Sequence, residues 1–146
     1  MPKNVVSVFP LERKFKALER AVREAALFSL KQLKQKGIAV EIFLVSDKAM
    51  ASLNWKYRGK RKPTNVLSFE TPYPVPRPDL GNGRFVGEIF LGPDYAKKKK
   101  DELEFLVIHG ILHLLGYTHE SEKKSIIMSI LEHKIWNQLC RAVKTQ

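Results

Sequence analysis

Two rhythms of apolar positions alternate along the chain. Spacings of three and four predict helices, and short runs of branched and aromatic residues predict strands. Val5, Val6, Val8 and Phe9, stopped by Pro10, predict a first strand over Lys3 to Phe9. From Leu11 to Lys36 the residues Phe15, Leu18, Val22, Ala25, Ala26, Leu30 and Leu33 keep helical spacing with charges opposite them. That pattern predicts one long amphipathic helix covering a sheet, closed by Gly37. Ile38 to Val45 carries a single charge, Glu41, and predicts a strand buried on both faces. Ser46 or Asp47 then caps a helix that stops near Gly59, with Ala49 to Leu53 and Trp55 read as core packing.

The second half follows the same logic. Gly59 to Thr64 is a basic loop, Asn65 to Phe69 a short strand, and Phe85 to Leu91 its neighbour, with Gly87 as a bulge or close-approach point. Between them, Thr71 to Gly83 holds four prolines and two glycines, which predicts a long exposed loop. Asp94 reads as the cap of a helix running from Tyr95 to Leu115, with Lys97 to Lys100 a solvated helix end. Glu120 to Val143 predicts a last helix through Ile126, Ile127, Ile130, Leu131, Ile135 and Leu139.

The chemistry concentrates in His109-Gly-Ile-Leu-His113-Leu-Leu-Gly116-Tyr-Thr-His119, which holds three of the four histidines. His109 and His113 are four residues apart and share one helix face. Gly116 can take a left-handed turn that returns His119 toward them. Three imidazoles with a fourth position open to water suit one zinc ion per chain, although nickel, copper or iron accept the same ligands. The competing reading is a set of core histidines, since Phe105 to Leu115 is apolar on nearly every side. Buried imidazoles need hydrogen-bond partners, however, and the local sequence supplies none. The spacing equals that of a zinc-peptidase motif, but Gly110 stands where the general-base glutamate belongs. His133, among charged residues, is not read as a ligand.

At 146 residues the chain fits a single domain, 1–146, with a core large enough to need no disulfide. Cys140 is the lone cysteine and no targeting or membrane-spanning segment is evident, so a soluble cytoplasmic monomer is expected. A formal net charge of +11 favours a polyanionic partner. Within that charge, Lys60, Arg61 and Lys62 are placed to guide a nucleic-acid backbone.

The histidine motif closely resembles the signature of the YbeY family of bacterial metal-dependent endoribonucleases, which act in ribosomal RNA maturation. A second stretch agrees: Leu53-Asn54-Trp55-Lys56-Tyr57-Arg58-Gly59, then Pro63-Thr64-Asn65-Val66-Leu67-Ser68-Phe69, with Val86-Gly87-Glu88-Ile89 after it. The resemblance implies an α+β fold with a mixed four-stranded sheet packed with helices, and a zinc-like ion on the three histidines. It implies further that Arg58 sits by the metal and contributes to activity, and that the partners are ribosomal RNA and the small ribosomal subunit, in RNA processing and ribosome quality control. Arg58 suits such a role because its planar fork can hold two phosphate oxygens. Two departures stand out. Thr118 replaces the family's usual aspartate, so a carboxylate orienting a histidine has to come from elsewhere, Glu120 being the candidate. The stretch from Glu88 to His109 is also shorter than usual in that family. The leading expectation is a metallo-endoribonuclease cutting single-stranded RNA. A zinc peptidase and a non-catalytic, metal-stabilised RNA- or ribosome-binding module are the alternatives.

Overall fold

A computed structural model describes residues 3–77 and 83–144. Four strands, β1 (Val5–Pro10), β2 (Ile38–Leu44), β3 (Val66–Arg77) and β4 (Gly83–Leu91), form one mixed sheet in the order β1-β2-β4-β3. β1, β2 and β4 run parallel, and β3 pairs antiparallel with β4 at the edge. The helices are α1 (Glu19–Gln32), α2 (Asp47–Arg58), α3 (Pro93–Lys98), α4 (Leu103–Leu114) and α5 (Glu122–Lys144). This is the α+β arrangement anticipated above, with the two strands around the proline-rich stretch adjacent as expected.

Strand alternation divides the sheet's side chains between two layers. Val6 and Val8, Ile38 to Ile42 on alternate places, Ile89 and Leu91 point into the main core, where they meet Val22, Ala26 and Leu30 of α1 and Val107, Ile108 and Ile111 of α4. On the other face a smaller cluster of Val45, Met50 and Leu67 is bordered by Phe43, Phe69 and Phe90. Helix α4 is buried on nearly every side because it lies between the sheet and α1 and α5. That position fixes the two histidines it carries.

Four expectations are corrected. Leu11 to Lys36 is not one helix: Arg13–Leu18 is a 3-10 segment that tucks Phe15 into the core, and α1 ends at Gln32. The reversal is made by Lys34, at φ 56°, ahead of Gly37. The stretch from Thr71 is not a loop, since β3 continues to Arg77, while 78–82 lie outside the described residues. Pro72, Pro74 and Pro76 recur every second residue, so their missing N–H groups fall on one side of the strand. An edge strand tolerates that pattern when the side is the unpaired one. A register shift between Glu70 and Val75 absorbs the irregularity.

The helix expected from Tyr95 to Leu115 is two helices. Gly92 is the N-cap of α3, with Pro93 and Asp94 in its first turn, and Lys100 at φ 60° separates it from α4. Between Lys98 and Leu103 no side chain is apolar, so burial holds nothing helical there. Finally, Trp55 is not core: it is about half exposed, as is Tyr57, and α2 buries Met50 and Asn54 instead. Ser46 caps α2 by accepting from the Ala49 N–H (3.2 Å), and Gly59 closes it at φ 67°. Among the described residues no helix is long and apolar enough to cross a membrane.

Candidate metal centre and cleft

His109 and His113 stand one turn apart on α4, and the chain reverses at Gly116 (φ 97°) to bring back His119. One ring nitrogen from each lies within 4.8 Å of the other two, an arrangement that could hold a metal ion. His109 Nε2 and His113 Nε2 are 3.0 Å apart. Two lone pairs that close repel unless a proton or a cation lies between them. Two ligands of a tetrahedral ion at ~2.0–2.1 Å stand ~3.3–3.4 Å from each other, so the donor set fits a small divalent cation.

In two of the three, His109 and His119, the outward nitrogen is tied to a side chain that orients the ring. His109 Nδ1 lies 2.9 Å from Glu132 Oε2, a carboxylate only 8% exposed. Because the carboxylate can only accept, the proton sits on Nδ1 and the Nε2 lone pair faces its neighbours. His119 Nδ1 is 3.0 Å from Ser125 Oγ at the start of α5. The anticipated role of Glu120 is overturned, as this residue is exposed and pairs with Lys124 (3.5 Å). The carboxylate comes from α5, and it serves His109. Glu132 was legible in principle: it occupies a helical stripe with Met128, Ile135 and Leu139, all buried, where a charge is out of place without a partner. Ser125 gave no such signal.

Burial, reinforced by the neighbouring His109 and His119 and by Arg58, pushes His113 down to about 4, against a smaller opposing pull from Glu132. At neutral pH its ring is therefore uncharged, leaving one nitrogen with a free lone pair for a ligand bond. Arg58, the last residue of α2, lines a small cavity of about 80 Å³ together with Val66, Ser68, His109 and His113. A guanidinium thus borders the space next to two of the imidazoles.

The basic loop is held beside that cavity by Asn54. Its Nδ2 donates to the Lys62 carbonyl (2.8 Å), and its backbone carbonyl accepts from the Lys60 N–H (3.3 Å). Lys60, Arg61 and their neighbours are exposed, and the Arg61 guanidinium lies 4.3 Å from the centre of the Trp55 ring. His133 stays apart, with its Nδ1 donating to the Ser129 carbonyl (2.8 Å).

Gly110 faces away from this chemistry. A Cβ there would stand 2.8 Å from Ile89 Cδ1 and 3.1 Å from Cγ2, in a close contact between α4 and β4. A glutamate at this position would begin inside the core, which removes structural support for a peptidase-like base.

The profile of the family described as Endoribonuclease YbeY matches residues 9–140. This chain belongs to the YbeY endoribonuclease family. Among its relatives, the Endoribonuclease YbeY of Persephonella marina is 36% identical over 130 residues, covering 83% of each chain. That of Bartonella henselae is 41% identical over 106 residues, covering 68% of this chain and 67% of the relative. The solution structure of TM1509 from Thermotoga maritima superposes with a TM-score of 0.55 at 25% identity, covering 97% of this chain and 96% of that one. Family membership accounts for the motif order, whereas the roles of individual side chains rest on the geometry above.

Proposed function

We propose that this protein is a metal-dependent endoribonuclease that cuts single-stranded RNA, acting as a cytoplasmic monomer on the ribosomal RNA of the small subunit. The observation that carries the reading is the convergence of three imidazole nitrogens within 4.8 Å beside a cavity bordered by Arg58. His109, His113 and His119 would hold one zinc ion. When bound, the ion would supply Lewis-acid polarisation of a phosphoryl oxygen and acidify a water molecule. Arg58 holds the scissile phosphate through paired N–H donors and offsets the charge that builds up on it. Glu132 keeps the His109 ring in one tautomer and orientation.

The exposed Lys60, Arg61 and Lys62 guide the strand by phosphate contact. Trp55, exposed and braced by Arg61, adds a face on which an unpaired base can stack. That combination of cations and an accessible aromatic suits single strands, whose bases are free to leave the helix.

The test is cleavage of a single-stranded RNA by the zinc-loaded protein, by the protein with chelator, and by the variants His113→Ala and Arg58→Ala. Full cleavage is expected only in the first case, none with chelator or in His113→Ala, and cleavage slowed by ~100-fold or more in Arg58→Ala. Equal cleavage in every sample marks a contaminating nuclease. Tight RNA binding without cleavage in the zinc-loaded protein would leave a binding module in place of an enzyme.

A further inference from the structure

A second and larger cavity, of about 410 Å³, opens beside the histidine cluster and is not used by the chemistry above. Its position follows from two elements already described. Along β3, Ser68 lines the histidine cavity and Glu70 lines this one, two residues on and on the same strand face, a step of ~7 Å. On the helical side, Leu114 follows His113, and Gly116 and Tyr117 lie in the turn between His113 and His119. The two cavities therefore neighbour each other along β3 and the end of α4, offset by about the repeat of an extended single strand.

The walls combine a few apolar surfaces with polar groups, among them two opposite charges. Leu33, Val86 and Tyr117 supply surfaces against which a planar ring can lie. Glu70 and Arg84 border the same space, both are exposed, and among the described residues neither has an ion-pair partner. An unpaired carboxylate and an unpaired guanidinium in one nucleotide-sized slot call for a ligand that presents donors on one edge and acceptors on another.

We propose that this cavity is a guanine-selective subsite, seating the base next to the phosphate held at the histidine cluster. This rests on the reading of the chain as an enzyme that cuts RNA. An ionised carboxylate only accepts hydrogen bonds. Guanine offers it two adjacent donors, N1–H and the 2-amino group. Adenine and cytosine each present a ring-nitrogen lone pair beside their amino group, and uracil places carbonyl oxygens on both sides of its single N–H. Arg84 complements the choice, since guanine O6 and N7 form a pair of acceptors for a guanidinium. Tyr117 provides the stacking face.

The experiment is titration of the zinc-loaded protein with GMP, IMP, AMP and UMP, followed by NMR shifts of groups around Tyr117. It is repeated with Glu70→Gln, whose fold is checked by its melting temperature. GMP is expected to bind about fivefold or more tighter than AMP and UMP. IMP, which lacks the 2-amino group, should fall between them. In Glu70→Gln the GMP advantage should shrink to within about twofold, because an amide oxygen and an amide NH2 cannot both accept. Equal binding of the four nucleotides, no saturable binding of GMP, or a GMP preference untouched by Glu70→Gln overturns the proposal. A guanine preference without RNA cleavage upholds the subsite and removes the nuclease reading, whereas cleavage with no nucleotide preference does the reverse.

Discussion

Glu132 and His113 show how single side chains set the character of the histidine cluster. Glu132 is a carboxylate buried in an apolar stripe, and its desolvation is offset by the His109 N–H at 2.9 Å. Replacing it by Gln keeps the shape and removes the charge that makes His109 a better donor. Glu132→Gln should weaken zinc binding by ~10–100-fold, read by competition with a coloured chelator. An affinity within twofold of the parent would show that the carboxylate does not act through His109. His113 makes a pH-dependent contribution of opposite sense. Its ring titrates at about 4 in the folded chain and near 6.5 when unfolded, so between those values the unfolded state binds more protons. Stability is therefore lost as pH falls through that window. In chelator, the melting temperature of the parent should drop from pH 6.5 to 4 more steeply than that of His113→Asn. Parallel curves would mean that burial does not depress this ring.

At the scale of elements, the contact between α4 and the sheet explains why two glycines are needed where they are. Gly87 sits at φ 148° in β4, and a Cβ there would lie 2.3 Å from the Phe69 carbonyl oxygen and 2.7 Å from Leu114 Cδ2. A backbone carbonyl in a paired strand has nowhere to move. Gly87→Ala should cost about 2 kcal/mol or more, seen as a lower midpoint in urea, and should shift Leu114 and with it the histidine turn. A stability within 0.5 kcal/mol of the parent, on the order of an ordinary surface change, would sink this account. Gly87 was readable from the sequence as a close-approach point because a glycine inside an apolar strand has few other uses. Other features were hidden by composition. Prolines read as loop until their period of two is matched to an edge strand, and a lysine run reads as continuous helix until the fold shows it broken at Lys99 and Lys100. Trp55 looked like core because large aromatics often pack inside, and only the fold reveals that α2 presents it outward. The histidine triplet was legible because its ligands are local, all within one helix and its turn. Glu132 and Ser125 were not linked to it because they arrive from α5, a long-range pairing that spacing along the chain does not encode.

For the whole molecule, the decisive property is an excess of eleven positive charges on 146 residues. Spread evenly, such a charge would attract any polyanion and confer no direction. The chain instead concentrates Lys60, Arg61 and Lys62 on a loop anchored by Asn54 next to the Arg58 cavity. If that loop tracks the RNA backbone, its three cations each displace condensed counterions from the strand. The logarithm of RNA affinity should then fall with the logarithm of salt concentration, with each phosphate contact on a single strand contributing ~0.7 to the slope. Replacing all three residues by Ala should reduce the slope by roughly 2 and weaken binding most at low salt. The zinc affinity of that variant should stay at the parental value, because none of the three side chains touches a histidine. Binding measured by fluorescence anisotropy between about 50 and 200 mM salt separates the possibilities. A uniform loss of affinity at unchanged slope would mean that the loop acts by shaping the cleft, and an unchanged affinity would move the RNA path to another face of the molecule.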